Sequence, residues 1–216
     1  MTESIPRPLD LDTLQAALTQ LAALDPDLDQ IIRQYGPPPL WTREPEFATL
    51  IQIILEQQIS LKAAQTVYQR LCNSLGEMSP QAILETGEAG LRDRGLTRQK
   101  SRYCHELAKH VTDGRLVLAQ LEHLPAAEGR KALLAVPGLG IWSVDVYYMT
   151  ALRHPDIWPR GDLALAAAMQ EIKGLEASPK HDEQAQISEH WAPWRSVAAR
   201  LLWLHYLAKR GQLPTV

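Results

Sequence analysis

Val136-Pro137-Gly138-Leu139-Gly140 lies between two stretches of helical periodicity, and it limits the folds open to this chain more than any other segment. Glycine loses more backbone freedom on folding than any other residue. Two of them in a five-residue turn make sense where the chain must bend tightly or where its backbone must approach a ligand. Ahead of the turn, residues 126–135 read as a helix with Glu128, Arg130 and Lys131 exposed and Leu133 and Leu134 buried. Behind it, residues 141–152 continue with Trp142, Val146 and Met149 at helical spacing. Gly140 opens that second helix, whose first amides have no intrahelical partner. Together with the positive end of the helix dipole, those amides suit an anion such as a phosphate. Helix, glycine hairpin, helix is therefore an arrangement able to grip a DNA backbone without reading its bases. An ordinary helical turn closed by a glycine cap accounts for the same five residues equally well.

The rest of the chain also reads as helix, over residues 9–24, 27–35, 46–57, 61–75, 98–112, 163–172 and 194–209, with a short helix beginning at Ser79-Pro80. Ser60, Thr97 and Asp162 are suited to cap the helices that follow them. The run Gly36-Pro37-Pro38-Pro39 cannot be helical and serves as a connector. Phe47, Leu50, Ile51, Ile53, Ile54 and Leu55 leave residues 46–57 apolar on most faces, as befits a central buried helix. Alternating strand patterns and internal repeats are lacking. The expected class is all-α, and 216 residues suit one domain or two packed lobes.

Charge argues in two directions. A net charge of −3 disfavours a nucleic-acid partner mildly, but the charges are unevenly placed. Six acids stand against Arg7 in the first thirty residues, whereas Arg92, Arg94, Arg98, Lys100, Arg102, Lys109 and Arg115 outnumber the acids around them. No acid follows His190, while Arg195, Arg200, Lys209 and Arg210 do. A basic face on an acidic body and ordinary solvated helix surfaces both fit. Cys72 and Cys104 are too few for a disulfide framework or a four-cysteine metal site and read as small apolar helix residues. The first ten residues, with Glu3, Pro6, Pro8 and Asp10, are unlike a secretory signal, and no apolar run would span a bilayer. The expected location is intracellular.

Several separate segments resemble the helix-hairpin-helix DNA glycosylase superfamily, and within it the 3-methyladenine DNA glycosylase II branch. Besides the hairpin, they are Ile53 to Ser60 with Glu56-Gln57-Gln58, Leu91 to Lys100 with Gly95-Leu96, Trp158-Pro159-Arg160-Gly161-Asp162-Leu163-Ala164-Leu165, and Trp191-Ala192-Pro193-Trp194-Arg195. The resemblance covers about residues 28–209 in order. It implies a two-lobed fold with a cleft between lobes, in a short form without the N-terminal β domain of larger members. Residues 46–150 would form the central lobe with the hairpin. Residues 1–45 would pack with the C-terminal lobe, and residues 151–216 would bring the catalytic segment.

The same resemblance implies the site. Asp162 would be the catalytic carboxylate, stabilising positive charge on a deoxyribose that is losing its base, although a helix cap alone also explains its position. Asp145 reads as a polar helix position near the cleft. Trp142 stands where strand-cutting relatives carry a Schiff-base lysine, which implies a monofunctional hydrolase. Trp142 and Trp203 match pocket aromatics that would stack on electron-poor alkylated purines. Core packing is the competing account for any helical tryptophan, and it is the stronger one for Trp191 and Trp194. Val146 and Leu163 replace two further pocket aromatics of the family, leaving the substrate range open. Gln58 falls where relatives place the residue that fills the gap left by a flipped base, although a loop glutamine explains it nearly as well. Pro137, Gly138, Leu139 and Gly140 would hold the DNA backbone. A Na⁺ or K⁺ ion on the main-chain carbonyls of Leu134, Val136 and Leu139 would assist, and catalysis would need no cofactor. The expected partner is double-stranded DNA containing alkylated bases, acted on by a monomer. A non-catalytic DNA binder and a glycosylase for other damaged bases are the alternatives.

Overall fold

In the computed structural model, residues 7–213 are described, and among them there are eleven α-helices and no strand. The helices are α1 (Leu11–Leu24), α2 (Pro26–Tyr35), α3 (Phe47–Glu56), α4 (Leu61–Leu75), α5 (Pro80–Asp93), α6 (Arg98–Thr112), α7 (Ala126–Leu134), α8 (Ile141–Thr150), α9 (Leu163–Lys173), α10 (His181–Glu189) and α11 (Arg195–Lys209). The chain divides into two units, one formed by Arg43–Tyr147 and the other by residues 7–42 together with residues 148–213. Part of the N-terminal segment read as no signal sequence, residues 1–6, lies outside the described residues. None of the described helices is long and apolar enough to cross a membrane.

In the unit Arg43–Tyr147, α3 is the central element. Leu50, Ile51, Ile53 and Ile54 are fully buried, and the helix packs against α4 and α6. Each such side chain contributes about 1.5–3 kcal/mol on leaving water. Hydroxyl caps start the next three helices, with Ser60, Ser79 and Thr97 accepting the amides of Ala63, Ala82 and Lys100. The helix after Ser79 is longer than expected, running to Asp93, with Gly87 (φ 65°) breaking its course where only glycine adopts that backbone easily. At the C-terminal end of α3, Lys100 Nζ donates to the carbonyls of Leu55 (2.7 Å) and Gln57 (2.8 Å), so two otherwise orphaned acceptors are satisfied. Burial of that ammonium pulls its pKa below the ordinary lysine value.

In the other unit, α11 packs against α1, α2 and α9. Leu18, Leu21, Leu28, Leu165, Trp191 and Leu201 belong to its core. The first helix begins at Leu11 rather than residue 9 because Asp10 caps it in a capping box with Thr13. Polar α10 carries too weak an apolar period to be read from sequence. The last helix starts at Arg195, after Trp194 closes the preceding turn. The acid-free C-terminal segment does not offer its cations as a basic face. Arg195 pairs with Asp156, Lys209 and Arg210 pair with Glu171, and Arg200 is buried.

A polar knot joins α2, α9 and the Trp191 turn. Asp25 accepts Lys173 Nζ on both oxygens (2.9 and 2.8 Å) and the Trp191 indole N–H (2.8 Å), while Lys173 also reaches Asp27 (2.8 Å). Burial by itself would raise the Asp25 pKa, but the bonds from Lys173 and Trp191 outweigh it and hold the carboxyl below the usual aspartate value. A depressed folded-state pKa stabilises above the unfolded value, about 4, and the gain disappears as pH falls through the folded value. Asp25→Asn is therefore expected to lower the melting temperature at pH 7, with the difference from the parent shrinking as pH falls below about 4. An equal difference at every pH in a melting series would rule this linkage out.

Candidate functional site

The hairpin residues are held by groups that the sequence reading did not single out. Gln57 Nε2 donates to the Gly138 carbonyl (2.8 Å) and to the buried Ser143 Oγ (2.9 Å), tying the turn after α3 to the hairpin and the first turn of α8. Arg130 of α7 and Asp145 of α8 form an ion pair at 2.5 Å, with the Asp145 side chain only 2% exposed. Asp145, read from the sequence as a polar helix position near the cleft, is thus a buried clamp across the two helices flanking the hairpin. Arg130, expected to be exposed, is the other half of the clamp. Leu134, expected to be buried, is 42% exposed, while Val136 and Leu139 are buried and anchor the turn from below. Pro137 and Gly140 are exposed.

Gly138 adopts φ 100°, and a methyl group at its α-carbon would overlap the Tyr103 ring of α6. The Arg102 guanidinium lies 5.5 Å from the centroid of that ring, which brings a cation near the hairpin backbone. Gly138→Ala is expected to destabilise the protein by about 2–5 kcal/mol, from forced positive φ and overpacking. Thermal melting checks this. The double variant Gly138→Ala/Tyr103→Ala should recover only the overpacking part. A Gly138→Ala protein that melts within about 1 °C of the parent contradicts the prediction.

Gln58, directly beyond Gln57, is exposed and has φ 59°. A non-glycine residue in the left-handed region costs on the order of 1 kcal/mol and persists where its surroundings impose it. Here Lys100 and the Gln57 amide hold the preceding residue on both sides. In the same unit, Trp142 is half-buried at the start of α8, and Val146 is buried one turn on. Of the sequence-predicted residues, the structure therefore gathers Gln58, the hairpin and Trp142 around Gln57 and Ser143.

Asp162, Leu163 and Trp203 belong to the other unit. Asp162 is the N-cap of α9, and its Oδ1 accepts the Leu165 amide (2.9 Å) and the Trp203 indole N–H (3.3 Å). The residue is 8% exposed, so its charge sits in a water-poor setting at the positive end of a helix. Gly161 (φ 82°) makes the turn into it, and a methyl group there would stand 2.7 Å from His181 Cε1 of α10. Leu163 is 83% exposed. Trp41, on the connector ahead of α3, meets Trp203 edge to face (centroids 6.4 Å apart, planes at 68°). Trp191 is core, and Trp194 donates its indole N–H to Gln20 (2.7 Å). Gln57, Tyr103, His181 and Trp41 were missed. Gln57 lies in the Glu56-Gln57-Gln58 segment, but Tyr103 meets the hairpin, and His181 and Trp41 meet the residues around Asp162, from distant segments and carry no local signal.

A family model described as HhH-GPD superfamily base excision DNA repair protein matches residues 51–193, a span holding both the hairpin and Asp162. The Bacillus subtilis (strain 168) protein YfjP is 27% identical over 184 residues, which are 82% of this chain and 64% of that protein. The alkylbase DNA glycosidase-like protein mag2 of Schizosaccharomyces pombe is 25% identical over 201 residues, 89% of this chain and 94% of its own. A crystal structure of a DNA-3-methyladenine glycosidase from Bacillus halodurans superposes with a TM-score of 0.73 at 26% identity, covering 96% of this chain and 95% of that one.

Proposed function

The chain belongs to the HhH-GPD superfamily of base excision DNA repair proteins, and from that premise we propose that it is a monofunctional DNA glycosylase acting on alkylated purines. The observation that carries this is Asp162, a nearly buried carboxylate bonded to the Leu165 amide and the Trp203 indole at the start of α9. Breaking the N-glycosidic bond leaves positive charge on the sugar. A fixed carboxylate stabilises that charge best where water is scarce, and it also orients the water that adds to the anomeric carbon. The products are the free base and an abasic site. With Trp142 rather than a lysine at the hairpin, no amine attacks in place of water.

The hairpin amides and nearby Arg102 bind phosphate in this reading, and Gln58 fills the space left by the flipped nucleotide. Trp142 and Trp203 stack on the base, with Val146 and Leu163 at the two positions where the family carries further aromatics. Among the described main-chain hydrogen bonds, the carbonyls of Leu134 and Leu139 accept none and that of Val136 accepts the Leu139 amide, a neutral oxygen set that fits Na⁺ or K⁺. Such an ion would add positive charge beside a DNA phosphate. The protein acts as an intracellular monomer on duplex DNA. Incubation with methylated DNA and chromatography of the released bases tests the proposal, with 3-methyladenine and 7-methylguanine as the expected products. Release only of oxidised or deaminated bases from suitably damaged DNA would reassign the substrate. No release, with salt-sensitive binding to abasic-analogue duplex, would make the protein a non-catalytic binder.

A further inference from the structure

We infer that Lys100 is a positioning residue for strand opening, holding Gln58 in the backbone conformation from which its side chain enters the gap left by a flipped nucleotide, an inference that rests on the glycosylase reading. Where α2, α4 and α9 end, the chain turns out on glycines with positive φ (Gly36 78°, Gly76 75°, Gly174 61°). Glycine is favoured there because it has no Cβ to clash. After α3 the left-handed turn falls on Gln58 instead, at φ 59° and with its side chain exposed. Glutamine is a worse turn residue than glycine, so its side chain does not serve the turn.

Lys100 supplies what this turn lacks. Its ammonium reaches over from α6 and makes both of its described hydrogen bonds to main-chain carbonyls, those of Leu55 (2.7 Å) and Gln57 (2.8 Å). The Gln57 carbonyl lies in the peptide plane that leads into Gln58, so holding that oxygen fixes the plane from which Gln58 departs. From the other side, the Gln57 side chain donates to the Gly138 carbonyl and to the buried Ser143 Oγ. One residue thus ties Gln58 to the hairpin through both its backbone and its side chain, and the strained conformation persists because both ties are made. Glycine or water would satisfy a helix end at lower cost than an ammonium drawn partly out of water, whose pKa that burial lowers. The return comes when the duplex opens. Flipping a nucleotide sacrifices stacking, and a side chain already held in place offsets the loss better than one that must be ordered on entry.

The test uses the full chain and single-turnover release of 7-methylguanine from two substrates, one with the lesion paired to cytosine and one with it in a short unpaired bubble. Only the first must be opened, so a smaller folded fraction lowers both rates alike and cancels in their ratio. Lys100→Met keeps the apolar stem and removes the donors, and it is expected to lose about tenfold on the paired lesion but under about threefold in the bubble. Lys100→Gln keeps an amide donor and covers the case in which Lys100→Met does not fold. Its loss should be smaller and again confined to the paired lesion. The double variant Lys100→Met/Gln58→Ala should be no slower on the paired lesion than Gln58→Ala, because Lys100 acts through Gln58. No loss, equal losses on the two substrates, or losses that multiply in the double variant would overturn the inference and leave Lys100 a helix cap. Paired-lesion release unchanged in Gln58→Ala would overturn it too, with the glycosylase reading intact. If the parent releases no methylated purine from either substrate, the glycosylase reading falls, and this inference with it.

Discussion

Asparagine at position 162 is expected to slow base release by about 10³-fold while the protein folds and binds DNA as before. Removing a single preorganised electrostatic group from a water-poor site costs this order of magnitude in other enzymes, and the Asp162 carboxylate is 8% exposed. The substitution separates chemistry from architecture because the side chain has two duties. As N-cap it accepts the Leu165 amide at 2.9 Å, and asparagine is as good a cap as aspartate. Its oxygen also accepts the Trp203 indole N–H. Only the negative charge is lost, so the melting temperature should move by no more than about 2 °C, which corresponds to under about 1 kcal/mol for a chain of this size. Single-turnover release of 7-methylguanine, thermal melting and binding to an abasic-analogue duplex are the three measurements. Release within tenfold of the parent would falsify the catalytic role, and a large melting shift with proportionate loss of release would reduce Asp162 to a helix cap.

The largest stability effect is expected at Arg200. Its guanidinium is fully buried in α11 and donates to the carbonyls of Leu40 (2.9 Å), Ser196 (3.1 Å) and Met149 (2.6 Å). Burial pulls its pKa down to about 10, so it remains charged at neutral pH. The carbonyls of Leu40 and Met149 lie beyond the ends or near the end of helices, where backbone acceptors lack the usual partner. Arg200→Ala leaves the Met149 carbonyl unsatisfied in a buried setting and the Leu40 carbonyl in a half-buried one, and opens a large cavity. Together these cost about 3–5 kcal/mol, or roughly 6–20 °C in melting temperature. Lysine keeps the charge but not the planar fork, so Arg200→Lys should recover only a minor part. A melting temperature within about 2 °C of the parent for Arg200→Ala would show that water replaces the guanidinium without loss.

The order of the helices was legible because most of them obey local rules. Apolar residues recur every three to four positions, serine, threonine or aspartate stands just before the first turn, and proline and glycine mark the breaks. Ser60, Thr97 and Asp162 cap as expected. The polar α10 and the kinked α5 were missed or shortened, since one lacks a strong apolar stripe and the other is interrupted at Gly87. Charge was the poorest guide. Arg195, Lys209 and Arg210 look like a basic run in the chain, but each has a carboxylate partner supplied from a distant segment.

What the sequence determined by itself was therefore local: an all-helical chain, a glycine hairpin between two helices, and an aspartate at a helix start, each set by backbone sterics and nearby hydrogen-bonding groups. Tertiary structure alone decided which residues those features work with. Gln57 reaches the Gly138 carbonyl across 81 positions, Trp203 reaches Asp162 across 41, and Arg200 reaches Leu40 across 160. A side chain's partner is fixed by where the packed helices bring the chain back upon itself, and no spacing along the sequence encodes that distance.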